Sequence, residues 1–179
     1  MYWDISWQPK PISVLKNTNE EILSSMELEF SEIMGFKVNY SIVKLNEIEH
    51  WQVSYNGLST EDSKPARLKL IMDLYDQSIN KMDYTTRFNL DKPTIKICDL
   101  IISPEGEGLG SQIINHFLQE VKKTKFEKII LKAQDEYAGK FWGKFNFVYK
   151  KNTSLTMPSM YLDLNSSHQQ EIKVNINYK

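Results

Sequence analysis

Three glycines near the middle of the chain are the residues whose type and spacing best suit binding chemistry. They lie in ICDLIISPEGEGLGSQIINHFLQEV, residues 97–121, between a dense apolar run and an amphipathic segment. A strand, a glycine-rich loop and a helix in this order commonly hold a phosphate, because the N–H groups of the first helical turn point at the anion. The loop containing Gly106, Gly108 and Gly110 is therefore the first candidate site.

The spacing of these glycines excludes two well-known phosphate loops. A lysine-containing phosphate loop needs Gly-Lys-Ser/Thr, but Ser111 directly follows Gly110. A dinucleotide loop needs G-x-G-x-x-G and a doubly wound sheet, for which too little chain remains. Two interpretations are left: a pyrophosphate loop of the acetyl-CoA type, and a tight strand-to-helix turn that binds nothing.

A second segment, KAQDEYAGKFWGKFNFVYK at residues 132–150, favours the first interpretation. With the loop, it resembles the GNAT superfamily of acetyl-CoA-dependent N-acetyltransferases. That family has a Q/R-x-x-G-x-G/A loop, followed later by N-x-x-A-x-x-L-Y-E-K-x-G-F and a last strand similar to SMYLDL. The resemblance covers about residues 94–164. Here the loop is 105–110, and the second pattern is carried by Asp135, Ala138, Phe141, Trp142, Gly143, Lys144, Asn146 and Phe147.

The resemblance implies a fold and a reaction. The fold would be one mixed α/β domain over 1–179, with a mostly antiparallel, splayed sheet flanked by helices. Residues 94–164 would hold acetyl-CoA and residues 1–93 would supply the acceptor side. The acetyl group would pass directly to an amine, with a main-chain N–H of the preceding strand polarising the thioester carbonyl. The residues implied at the cofactor are Leu100, Ile101, Ile102, Glu107, Gly108, Leu109, Gly110, Ser111, Asp135, Ala138, Phe141, Trp142 and Lys144.

Three residues depart from the family pattern. Glu105 replaces the usual basic or amide residue, Asp135 replaces the usual asparagine, and Trp142 replaces the tyrosine of many members. Because an indole N–H is not an acid at neutral pH, the general acid is unassigned. The departures leave an alternative function open, namely a non-catalytic acyl-CoA-binding or assembly module.

Asp99 is the candidate general base, because an unpaired carboxylate is costly to bury in a strand this apolar. The alternative is that Asp99 pairs with a neighbouring lysine or reaches solvent. Cys98 has no histidine near it in sequence, and we interpret it as a small buried hydrophobe. The three histidines are scattered, so the sequence predicts no metal site.

The elements that must position these residues follow from hydrophobic periodicity. From residue 94 onward the order is strand, helix, strand, helix, strand, strand, which with the mixed elements before it indicates a mixed α/β sheet. Helices are predicted over 17–34, 67–82, 111–123 and from Asp135 to 145. Strands are predicted over 38–45, 51–55, 84–90, 94–103, 128–133, 147–150 and 160–164, with a polar loop over 57–65 and an edge strand in the tail after 165.

Composition limits the class of protein. With 41% hydrophobic and 25% charged residues in 179, the chain reads as one globular domain. A net charge of −1 gives no case for a nucleic-acid partner. One cysteine, no signal-like N-terminus and no long apolar run predict a cytoplasmic protein without a membrane partner. A homodimer is left open.

Overall fold

One sheet of seven strands organises the part of the chain that the computed structural model describes, residues 20–45, 50–60, 65–154 and 156–165. The predicted tail strand lies outside these residues. The elements are α1 (Glu20–Met34), β1 (Val38–Leu45), β2 (His50–Ser59), β3 (Ala66–Tyr75), β4 (Thr94–Ser103), α2 (Leu109–Val121), β5 (Lys128–Lys132), α3 (Glu136–Gly143), β6 (Val148–Tyr149) and β7 (Ser159–Asp163).

The strand order is β1-β2-β3-β4-β5-β7-β6, and β4 with β5 is the parallel pair of this sheet. The other neighbouring strands are antiparallel. A parallel pair needs a crossover connection, which α2 supplies. The predicted fold class, a mixed and mostly antiparallel sheet flanked by helices, is confirmed.

The helix predicted over 67–82 is wrong, since Ala66–Tyr75 is strand β3. Leu68, Leu70, Met72 and Leu74 alternate along it and all are buried. That period of two belongs to a strand whose one face meets the core. The helical interpretation used Leu68, Leu70, Ile71, Leu74 and Ile79. Of these, Ile79 packs in a separate cluster on the other side of the sheet.

Smaller corrections concern the ends of elements. The strand predicted over 84–90 is reduced to an isolated bridge between Met82 and Asn89. The loop predicted from Gly57 begins later, because β2 continues to Ser59. By contrast, β1 and β4 have the predicted bounds.

The sheet separates two apolar clusters. The larger one lies between the sheet and the helices, and we call that side the helix face. Its buried members include Phe30 of α1, Phe117 of α2 and Ile97 of β4. The opposite side, which we call the polar face, carries Lys69, Asp73, Lys96 and Asp99 of β3 and β4. A smaller cluster of Tyr75, Phe88, Leu90 and Ile130 lies there, under the segment after β3.

Asp83 holds the segment after β3 against the polar face through hydrogen bonds. Its carboxylate accepts hydrogen bonds from Lys96 Nζ at 2.7 Å, Thr86 N at 2.7 Å and Thr86 Oγ1 at 2.9 Å. Burial by itself would raise the pKa of Asp83, but the hydrogen bonds from Lys96 and Thr86 outweigh it and hold the pKa below the usual value.

We expect Asp83→Asn to lower the free energy of unfolding by about 2–3 kcal/mol at neutral pH, because Lys96 loses its charged partner. Since the folded pKa of Asp83 lies below its ordinary value of 3.8, the ionised form stabilises the fold above that pH. This contribution disappears as the pH falls towards the folded pKa. Urea unfolding from pH 7 to pH 3 measures both effects, with exposed Asp91→Asn as control. An Asp83→Asn variant as stable as Asp91→Asn at pH 7 would contradict this.

Candidate functional site

A bulge in β4 places an extra residue, Cys98, against β3. The register pairs Met72 with Ile97 and Ile71 with Asp99, so Cys98 has no partner of its own. A bulge shifts the alternation of side chains by one residue. Leu100 and Ile102 therefore face the helices as Ile97 does, and Asp99 is directed to the polar face.

Immediately beyond the bulge, β4 parts from β5. The parallel pairing runs from Thr94–Lys128 to Ile97–Leu131 and ends there, whereas β4 continues to Ser103 beside β3. Among the described residues, 99–103 have no β5 partner, so one edge of β4 presents free main-chain groups. The sequence predicted a splay near Ile102; the strands separate earlier, after Ile97. From Cys98 to Ser103 the resulting gap is about 17 Å long.

The glycine loop and α3 meet at the far end of this gap. A Cβ added to Gly110 would lie 3.5 Å from the Phe141 ring and 3.7 Å from Ile102 Cδ1. The loop, the end of β4 and α3 therefore touch on the helix face. Both α2 and α3 begin beyond the carboxyl ends of parallel strands, where open α/β sheets bind their ligands.

The N-terminus of α2 has the donors that a diphosphate needs. Gly108 is the N-cap at φ 77°, and neither a side-chain cap nor an acid is present in the first turn. The intrahelical hydrogen bond from Gln112 N to Gly108 O leaves the N–H groups of Leu109, Gly110 and Ser111 as orphan donors at the positive end of the helix. The positive φ of Gly108 favours glycine. The side chains of Glu105 and Glu107 are exposed, so they do not cap these donors.

Asp135, expected at the cofactor, serves as the N-cap of α3. Its Oδ1 accepts a hydrogen bond from Ala138 N at 2.7 Å, which satisfies an orphan donor of that helix. The exposed Lys144 lies apart from the loop. It lines an open cleft of about 530 Å³ together with Asn115, Gln119 and Lys122. This cleft is therefore distinct from the gap beside β4, and its lining includes no residue of the glycine loop.

Trp142 packs in the core. It is 6% exposed, and its ring lies 5.3 Å from that of Phe141 and 5.2 Å from that of Phe147. These edge contacts add dispersion to the larger apolar cluster. The indole is therefore a packing group at the position where many GNAT members carry a tyrosine.

Asp99 has a lysine partner, as the alternative interpretation held. Lys69 Nζ donates to Asp99 Oδ2 at 2.7 Å, and the two side chains are 27% and 37% exposed. The pair lies on the polar face, directly past the bulge. To accept a proton from another amine, Asp99 would have to exchange this partner.

Cys98 is exposed, so the prediction of a buried hydrophobe is wrong. Although the residue reaches the surface, neighbouring atoms desolvate its thiol, and this effect together with the negative charge of Asp73 raises the pKa of the thiol. A thiol held protonated is a weak nucleophile, which argues against a covalent role for Cys98. Asp73 is itself buried and accepts a hydrogen bond from Gln52 Nε2 at 2.9 Å. Sequence reasoning missed it, although alternation along β3 could have placed it on the polar face.

The remaining predicted classes of site can be compared with the described part of the chain. No three His, Cys, Asp or Glu residues there are grouped so that they could hold a metal ion. Among its helices, none combines the length and the apolar character that crossing a bilayer requires.

No protein-family model and no curated protein matches the chain. Similar solved structures include an acetyltransferase from Thermus thermophilus, at 15% identity and a TM-score of 0.40; the match covers 64% of each chain. Arabidopsis thaliana Naa50, in complex with the bisubstrate analogue CoA-Ac-MVNAL, is 15% identical at a TM-score of 0.42, over 81% of this chain and 94% of that one. Tetrahymena GCN5 is 13% identical at 0.41, over 82% and 89%. Because these values are low, we base the function on this chain's own residues.

We expect Trp142→Phe to lower the free energy of unfolding by about 1–3 kcal/mol, because it removes buried area and ring contacts. Affinity for CoA should change little. Thermal melts and calorimetry measure the two effects, with Tyr137→Phe, an 81% exposed aromatic residue on the same helix, as control. A Trp142→Phe protein that melts like the unmodified one but binds CoA poorly would instead place the indole at the cofactor.

Proposed function

We propose that the protein is an N-acetyltransferase of GNAT type, which moves an acetyl group from acetyl-CoA to a primary amine of a small molecule or protein. One observation carries the proposal. A free edge of β4, opened by the bulge at Cys98, ends at an uncapped helix N-terminus. A molecule that joins an extended arm to a diphosphate fits both features, with the arm along the free edge and the diphosphate at the helix N-terminus.

The chain's part in binding uses main-chain groups. The N–H groups of Leu109, Gly110 and Ser111 hold the diphosphate. The free edge from Asp99 to Ser103 pairs with the amide groups of the pantetheine arm, as an added strand would. These binding roles depend on backbone geometry. Because the side chains of Glu105 and Glu107 are exposed to solvent, these two unusual residues leave the binding roles intact.

The thioester of acetyl-CoA supplies an activated acetyl group. A main-chain N–H of β4 near the closed end of the gap polarises its carbonyl oxygen, a contribution worth roughly 3–4 kcal/mol when the donor is well placed. The distance of about 17 Å from Cys98 to Ser103, some five residue steps, accommodates an extended arm between the diphosphate and this point.

The amine approaches from the polar face. On the helix face, the contacts among Gly110, Phe141 and Ile102 cover the loop end of the gap. The polar face carries the carboxylate of Asp99 next to the gap, and its charge favours a cationic amine. The amine gives up a proton to Asp99 or to water before it attacks. The strands before residue 94, above all β3, supply the acceptor side.

One observation supports a second candidate function. Trp142 is buried at the position of the family's acid, where it cannot protonate a thiolate. A module that binds acyl-CoA without turnover fits this feature. The thiol of CoA is a weak acid, so the departing thiolate can take a proton from water, and the buried indole is also compatible with catalysis.

Binding is tested most sharply at Gly110. We expect Gly110→Asp to weaken CoA binding by about tenfold or more, some 1.4 kcal/mol, because a negative charge in the first turn of α2 would repel the diphosphate. Gly110→Ala is the matched control, since a Cβ there meets its neighbours at ordinary contact distance. Isothermal titration with CoA measures both. Equal affinities for the two variants, or no binding by the unmodified protein, would contradict the proposed site.

Turnover separates the two candidate functions. We expect thiol release from acetyl-CoA to rise above the background hydrolysis rate when a panel of primary amines or a cell extract is added. The Gly110→Asp protein is the control, and its rate should fall in step with CoA affinity. CoA binding without any acceptor-dependent thiol release would favour the non-catalytic module.

A further inference from the structure

We propose that Lys69 is itself an acetyl acceptor, so that the protein modifies this lysine in cis when it holds acetyl-CoA. The inference rests on the proposed function and adds a modification site to it. Lys69 lies on β3, and its ammonium is an amine that the structure places close to the parting strands on the polar face.

Register and the ion pair fix the position of the amine. Lys69 is opposite Ile101, yet its side chain reaches diagonally to Asp99, the first residue after the bulge. Asp99 belongs to the strand whose free edge borders the gap. Neighbouring strands are about 4.8 Å apart, so the ammonium lies within roughly one strand spacing of that edge.

Proximity then favours transfer. A reacting group held next to its partner behaves as if present at very high concentration, and it reacts before a dilute external amine does. The Lys69 side chain is 27% exposed, so it can exchange its carboxylate partner without unfolding the sheet. Ion pairs this exposed contribute little to stability, which keeps the exchange easy.

The chemistry balances without a further reactant. The Lys69 ammonium gives up one proton to Asp99, which passes it to water. The neutral nitrogen attacks the thioester carbon, the C–N bond forms and the C–S bond breaks, and the nitrogen then loses its second proton to water. The departing thiolate takes a proton from water, so the products are acetylated Lys69, CoA and one net proton. The acetylated side chain has no charge, so Asp99 becomes available to an external ammonium.

Two other paired lysines serve as internal references. Lys96 is also on the polar face, but its side chain is 14% exposed and its Nζ is held by Asp83 and Thr85. Lys123 lies just after α2, pairs with Glu120 and is 61% exposed. Its rate of acetylation measures the chemical reactivity of acetyl-CoA towards surface lysines. Acetylation of Lys69 that is faster than acetylation of the more exposed Lys123 therefore requires acetyl-CoA to be bound at the proposed site.

The experiment incubates the full chain with acetyl-CoA alone and follows acetylation of each lysine by peptide mass spectrometry. We expect Lys69 to be labelled about tenfold faster than Lys123, or more. Gly110→Asp should remove that advantage while it leaves the Lys123 rate unchanged. Lys69→Arg keeps a cation for Asp99; it should bind CoA as the unmodified protein does and show no selective label elsewhere.

The failures are distinguishable. Labelling of Lys69 no faster than Lys123, in a protein that binds CoA by calorimetry, overturns this inference and leaves the proposed site standing. Selective labelling that persists in Gly110→Asp also overturns it, since the label would then come from intrinsic reactivity. No CoA binding at all removes both the inference and the proposed function.

Discussion

The fold depends on one constraint: β4 must stay paired with β3 while it leaves β5. The bulge at Cys98 allows both. A strand with unbroken alternation would turn Leu100 and Ile102 to the polar face, since a shift of one residue exchanges the two sides of a strand. The bulge restores their direction, so β4 keeps its apolar contacts along its whole length and still exposes one edge.

The free edge of β4 can bind a ligand only if the neighbouring elements are held in place. The core on the helix face holds them. Ile113, Ile114 and Phe117 are fully buried on α2 and fix the helix against the sheet. Each such side chain stabilises the packing by about 1.5–3 kcal/mol relative to exposure. Because α2 is anchored along its length, its first turn holds the orphan N–H groups at a constant place beside the end of β4.

Local signals in the sequence were sufficient for part of this arrangement. The apolar run of β4 predicts both its ends, and the helix predicted from Asp135 corresponds to α3, which that residue caps. The sequence of β3 also fits a helical stripe, because Leu68, Leu70, Ile71, Leu74 and Ile79 can share one helix face. The buried residues of β3 instead alternate as in a strand: Leu68, Leu70, Met72 and Leu74. The pairing of Lys69 with Asp99 joins residues 30 positions apart. It follows from the register of β3 with β4, which periodicity alone does not contain.

Hydrogen exchange of the backbone amides, with and without CoA, tests the central claim most directly. Main-chain groups of residues 99–103 that face the gap, and the N–H groups from Leu109 to Ser111, have no main-chain partner in the described structure and are used for binding in our account. Added CoA should therefore slow exchange in these two stretches and leave the cleft around Asn115 and Lys144 unchanged. Protection confined to that cleft, or none along β4 in a protein that binds CoA, would contradict the account.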